Sequence, residues 1–194
     1  DTLAKNIHAK RAEAIPVLTN KLASILELLG MANARFNIQL NAKDDYFANG
    51  KDEIQFLFSA NKGSDFGLLK KVASGGEMSR IMLAVKSILS QYSKLPTIIF
   101  DEIDTGVSGE IAHKMGEIMK QMSATMQVFA ITHLPQIAGK GSEHFKVYKT
   151  VKDNQTQSEL KLLTQEERIT EIAQMLSGAN ISESALNHAK ELLN

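Results

Sequence analysis

Apolar residues in the first thirty or so positions recur at spacings near three, four and seven: Ile7, Ala14, Leu18, Leu22, Ile25 and Leu29. That rhythm predicts a helix with one apolar stripe, suited to pairing with a second helix. Pro16 should kink it or mark a second start. Strict alternation follows at Phe36, Ile38 and Leu40, and again at Ile54, Phe56 and Phe58. Two strands facing a core on one side are expected there, with Asn49-Gly50 as a turn in the polar stretch between them. A glycine-bearing loop covers 61–67. The three-four rhythm then returns at Met78, Ile81, Met82, Val85, Ile88 and Leu89 as one buried helix face. Those methionines read as core packing.

"TIIF" (97–100), introduced by Pro96, is apolar on both faces, as a strand inside a parallel sheet is. A helix capped by Ser108 should follow, with Ile111, Met115, Ile118 and Met122 inward. "QVFAIT" (127–132) is a second buried strand. Strand, helix, strand at this length predicts a right-handed βαβ unit. Residues 144–151 and 157–163 read as a more polar strand pair around "KDNQT". Thr164 and Glu167 form a capping box for a helix through Leu176, ended by Gly178, and a last helix starts at Ser182. No internal repeat or low-complexity segment interrupts this order. The fold class is therefore α/β: a parallel βαβ core, flanking antiparallel strands and an N-terminal helix.

Composition narrows the options only modestly. At 194 residues, 43% hydrophobic and 23% charged, the chain suits one or two packed domains, not a disordered segment. Zero net charge gives no global advertisement for nucleic acid, and the lack of cysteine removes disulfides and thiolate metal sites. No apolar run reaches the roughly 18 residues that a membrane span needs. The chain opens on Asp1 with no methionine or leader pattern, which suggests a piece of something longer.

Chemistry concentrates in a few places. "SGGE" (74–77) precedes a helix. Ser74 with Glu77 is a capping box, yet a glycine-bearing helix start is equally a phosphate site, and the local residues leave both readings open. Asp101 and Glu102 leave "TIIF" at the strand end where functional groups collect in open parallel sheets. Adjacent carboxylates beside apolar structure call for a compensating cation, most simply magnesium bridging to phosphate; a solvated strand end is the bland alternative. His133 leaves the second strand at the same edge, unlike His8, His113, His144 and His188, which read as structural or simply exposed. Between the strands, Asp104, Gly106 and Gly109 suit a tight exposed loop. No zinc spacing and no G-x-S-x-G elbow occur. Lys140, Lys146, Lys149 and Lys152 could form a modest basic surface, although a solvated hairpin explains them better.

Taken together, four segments resemble motifs of ABC-type ATPases, in their order and spacing. "SGGE" is similar to the signature motif, "TIIFDE" to the Walker B strand, "DTGVSG" to the D-loop and "ITH" to the switch histidine. The longer strings "KVASGGEMSRIMLAVKSIL", "PTIIFDEIDTGVSGE" and "FAITHLPQIA" resemble the RecN family of bacterial DNA-repair ATPases in the SMC-like group.

That resemblance implies ATP and Mg2+ as cofactors. It implies that Asp101 holds the metal, that Glu102 orients and polarises the attacking water, and that His133 meets the γ-phosphate. Ser74, Gly75 and Gly76 would present a hydroxyl and amides to ATP held by a partner head, with Glu77 capping that helix start and Asp104 coupling the two sites. Residues 1–32 would end a coiled-coil arm, and 33–194 would form the C-terminal lobe of the head. No G-x-x-x-x-G-K-[ST] is present, and "GKGS" (139–142) lacks the spacing, so the Walker A loop is expected on a separate N-terminal lobe. The implied partners are that lobe, a second ATP-bound head, DNA ends or single-stranded regions, and a recombinase, in the cytoplasm at the nucleoid and away from membranes. Two alternatives stay open: another SMC- or RecF-like head, or a non-hydrolysing module that dimerises on nucleotide. Glu102 weighs against the second, because a pure clamp needs no carboxylate poised for water.

Overall fold

A computed structural model describes residues 1–152 and 155–194, so residues 153–154 of the "KDNQT" link lie outside the described part. The chain divides into two compact units, Asp1–Lys94 and Leu95–Asn194.

The first unit begins with α1 (Thr2–Leu28), a single helix that continues through Pro16. Of the kink or second start expected at Pro16, the second start does not occur. Burial is confined to Ala4 near its start and to Leu22, Leu26 and Leu29 at its end, with Ile7 left 37% exposed. The stripe is therefore used as core only where α1 meets the strands and α3 (Gly75–Ser90). Strands β1 (Arg35–Phe47) and β2 (Gly50–Ser59) pair antiparallel, from Arg35 opposite Ser59 to Phe47 opposite Gly50, with an irregularity between Ala42 and Phe47. The polar residues 41–47, read from sequence as a link, are thus strand. Ladder pairing with β2 at Asn41, Ala42 and Phe47 outweighs the stretch's low apolar content. Gly50, at φ 120°, closes the hairpin in a conformation that side chains rarely adopt. The expected one-sided core exists at Ile38 and Phe58, while Ile54 and Phe56 stay about two-fifths exposed.

A short β3 (Gly67–Leu68) and α2 (Leu69–Val72) lead into α3. The buried face of α3 is Ile81, Leu83, Ala84, Ser87 and Ile88; Met82 and Leu89, assigned inward from spacing, face outward. Arg80 fastens this helix to the first by donating to the Leu29 carbonyl at 3.0 Å and to Gly76 O at 3.1 Å.

The second unit contains the βαβ unit. Strands β4 (Thr97–Asp101) and β5 (Gln127–Ile131) run parallel, Thr97 opposite Gln127 and Asp101 opposite Ile131. Between them α4 (Gly109–Met122) buries Ala112, Met115, Met119 and Met122. Phe100 is buried, but Ile99, Phe129 and Ile131 are 64%, 44% and 55% exposed. Burial on both faces, expected from the apolar runs, is therefore achieved on one face only. Gly116 lets the next helix, α5 (Pro135–Ala138), sit close: a Cβ there would lie 3.0 Å from Gln136 O. Strands β6 (Phe145–Lys152) and β7 (Gln155–Leu162) form an antiparallel ladder. Helices α6 (Gln165–Ser177) and α7 (Glu183–Leu193) close a small core of Ile172, Ala173, Ala185, Ala189 and Leu192. The Thr164–Glu167 capping box is formed, and Gly178 follows α6 at φ 76°.

Candidate functional site

In the first unit, α3 starts at the exposed Ser74. Its Oγ accepts from Glu77 N at 3.4 Å and donates to Glu77 Oε2 at 2.9 Å, and the same carboxylate oxygen accepts from Ser74 N at 2.8 Å. The capping box is therefore complete, with the Glu77 carboxylate turned back onto Ser74. Gly75 and Gly76 belong to the first turn, where N–H groups have no acceptor inside a helix. A Cβ on Gly75 would meet nothing within 4 Å, so that turn opens on free space. The capping-box reading of "SGGE" is thus formed, and it leaves the first-turn amides facing open space, as an anion site would require.

In the second unit, the parallel register brings the ends of β4 and β5 side by side. The ladder continues one step past the strands, as Glu102 N donates to Ile131 O at 3.1 Å. Asp101 and Glu102 are exposed. Glu102 adopts φ 47°, the sole left-handed non-glycine residue among those described. This turns the chain at the strand end and leaves Glu102 exposed there. Thr105 clasps the turn, its N donating to Glu102 O at 3.3 Å and its Oγ1 at 2.9 Å. Ser108 is the N-cap of α4 but makes no side-chain cap bond.

Asp104 departs from the exposed loop position expected for it, being fully buried. Its Oδ2 accepts the Thr132 hydroxyl and lies 3.6 Å from His133 Nδ1. Thr132 Oγ1 in turn accepts from Leu134 N at 3.0 Å, and Val107 N donates to Asp104 O at 3.1 Å. The His133 side chain is 67% exposed. Asp101, Glu102, Asp104 and His133 thus gather at one sheet edge, stitched by backbone and side-chain bonds. Thr132 and Arg80 were not singled out from sequence. Arg80 stands four residues after Gly76, a helical spacing that signals its bond back to that first turn, whereas nothing local marks Thr132.

Among the described residues no three His, Asp or Glu side chains converge as a metal centre. Magnesium does not require one, since it keeps waters and takes one or two carboxylates plus phosphate oxygens. Asp101, an exposed hard-oxygen donor, fits that mode. Two of the four lysines of the candidate basic surface are neutralised: Lys146 pairs with Glu171, and Lys152 with Glu159 at 2.8 Å.

No family model matches the chain. It is 46% identical over 191 residues to the DNA repair protein RecN of Rickettsia conorii, covering 98% of this chain and 35% of that one. Identity is also 46% over 185 residues to RecN of Deinococcus radiodurans, covering 95% and 32%. Among solved structures, the Smc head domain with a coiled coil and joint from Pyrococcus yayanosii matches at TM-score 0.65 and 18% identity, over 87% of this chain and 30% of that one. A chain from work on ATP-driven dimerization and DNA-stimulated activation of SMC ATPases matches at TM-score 0.58 and 17% identity, over 91% and 99%. Those two likenesses fix the fold as that of an SMC ATPase head. The chain is therefore a relative of the RecN proteins, aligned over 98% of its own length and spanning about a third of theirs.

Proposed function

We propose that this chain is the C-terminal lobe of a RecN-type ATPase head, with the end of its coiled-coil arm, acting in ATP-dependent repair of DNA double-strand breaks and in recombination. The observation that carries the reading is the shared edge of β4 and β5, where Asp101-Glu102 and Thr132-His133 emerge in parallel register. Asp101 holds magnesium, whose role is to offset phosphate charge. Glu102 orients and polarises water, and His133 meets the γ-phosphate. Ser74, Gly75 and Gly76 take the nucleotide of a second head, and the buried Asp104 acts through the loop it fixes. The domain division is at 32/33, arm before lobe.

The partners are the remaining lobe with Walker A, a second ATP-bound head, DNA ends or single strands, and a recombinase, in the cytoplasm. The exposed apolar face of Ile99, Phe129 and Ile131 supports a covering lobe, because parallel sheets are normally covered on both faces. No described helix is long and apolar enough to cross a membrane.

Titration calorimetry tests the division of labour. This chain should bind Mg-ATP weakly and turn it over negligibly, whereas the longer RecN-type protein should do both. Micromolar binding by the chain alone would mean that it holds its own phosphate cradle, and the reading would fall.

A further inference from the structure

The strand-end cluster contains a carboxylate that its surroundings leave under-compensated. Asp104 has no exposed surface, and its Oδ1 has no hydrogen-bond partner among the described residues. The other buried carboxylate among the described residues, Asp52, is met by both His8 and Arg11. Asp104 has the Thr132 hydroxyl and, 3.6 Å away, the imidazole of His133. The Thr132 side chain has no further hydrogen to give, since its single hydroxyl proton goes to Asp104 while its oxygen accepts from Leu134 N. Burying a charge without a compensating donor is costly, so the remaining acceptor capacity draws the nearest available N–H. The imidazole beside this carboxylate is that of His133, whose Nδ1 lies 3.6 Å from Oδ2 on a ring exposed enough to turn toward the unpartnered Oδ1.

A neutral imidazole holds its proton on one nitrogen, and the partner of one nitrogen decides which face the other presents. We propose that Asp104 is a positioning residue for His133, keeping the ring proton on Nδ1 so that Nε2 is the nitrogen presented to the ligand. Two segments distant in sequence, the loop after β4 and the exit of β5, are then locked through one carboxylate. Displacing the loop at Asp104 would release the histidine. The inference rests on the reading that His133 meets phosphate, but its geometry stands apart from that reading.

Nitrogen NMR of isotope-labelled histidine in this chain tests it, with His133 assigned by its loss in His133→Asn. At about pH 8.5, above the ordinary histidine range, wild-type His133 should show the proton on Nδ1. Asp104→Ala should return it to Nε2–H. Nε2–H in the wild type would overturn the proposal, and so would Nδ1–H persisting in a folded Asp104→Ala. If Asp104→Ala does not fold, the wild-type tautomer alone decides. No nucleotide is involved, so normal ATP turnover by His133→Ala in the longer protein would sink the phosphate reading and leave the tautomer result standing.

Discussion

The amide of Glu102 donates to the carbonyl of Ile131 at 3.1 Å while Glu102 itself sits at φ 47°. The backbone thus spends a favourable ladder bond to hold an unfavourable conformation, one that costs a residue with a Cβ about 1–2 kcal/mol. Glycine is free of that cost but loses about 0.5–1 kcal/mol to chain entropy. Glu102→Gly should therefore be at least as stable as Glu102→Ala, by up to about 1.5 kcal/mol, in denaturant unfolding. Glu102→Ala more stable than Glu102→Gly by about 0.5–1 kcal/mol, the entropy difference alone, would mean that the turn is not strained. In the longer protein both should lose turnover, because both lack the carboxylate.

The Thr132 hydroxyl is the direct hydrogen-bond donor to a buried carboxylate. Thr132→Val keeps the shape and removes the proton, which should cost on the order of 3 kcal/mol. Removing the carboxylate as well, in Thr132→Val/Asp104→Leu, should recover much of that loss, since replacing both partners by apolar groups is close to neutral. A double mutant less stable than Thr132→Val would show that Asp104 is supported by something else.

Acid should loosen the second unit at His144. Burial, then the nearby Arg168 guanidinium, pushes its imidazole below the ordinary histidine range. Arg168 is pinned there by bonds to the Ser142 and Gly141 carbonyls, and His144 Nδ1 is buried without a partner among the described residues. The folded state therefore binds the proton less readily than the unfolded chain. Stability is full above about pH 6.5 and falls as pH drops through that value toward the lower folded pKa. His144→Gln should flatten this part of the pH–stability profile, measured by thermal melting between roughly pH 7.5 and 5.

How much of this was legible in the sequence follows from how local each determinant is. The Ser74–Glu77 and Thr164–Glu167 boxes are set by residues three apart, and both form as read. The parallel pairing of "TIIF" with "QVFAI" is equally plain in two apolar runs around a helical rhythm. Burial that depends on distant partners was not legible. Asp104 looked like an exposed loop residue because Thr132, the partner that buries it, leaves the end of another strand. Met82 and Leu89 fit the period of α3 but fall outside the face it buries, which period alone does not fix. The polar stretch 41–47 is strand because β2 pairs with it at both ends, at Asn41 and Ala42 and again at Phe47, a choice made by the partner.

The two carboxylates at the end of β4 should fail differently in the longer protein. If Asp101 holds magnesium as proposed, Asp101→Asn should weaken that site and ATP binding should suffer. Glu102→Gln keeps the shape and removes the proton acceptor, a loss of roughly 10²–10⁴ in rate with affinity held. Unhydrolysed ATP should then keep two heads together, so light scattering should detect an ATP-dependent dimer for Glu102→Gln and none for Asp101→Asn. Equal ATP binding and equal dimerisation by the two variants would remove the distinction between metal holder and water activator.

Ser74 separates a structural from a ligand-binding role by its two substitutions. Ser74→Ala removes the Oγ that accepts from Glu77 N, so it should cost about 1 kcal/mol of stability as an N-cap loss. If capping were its whole role, turnover in the longer protein would change little beyond that. Ser74→Arg places a bulky cation at an end open to free space on the Gly75 side, so the fold should tolerate it. It should nevertheless block turnover, because the first-turn amides are obstructed where a second head's nucleotide would dock. ATP binding by the single head should stay nearly intact. Mixing Ser74→Arg with a variant disabled in Walker A should restore part of the activity, since one composite site is then assembled from two undamaged halves. Absence of rescue at every mixing ratio, with mixed dimers confirmed by mass, would place the action of Ser74 within its own head.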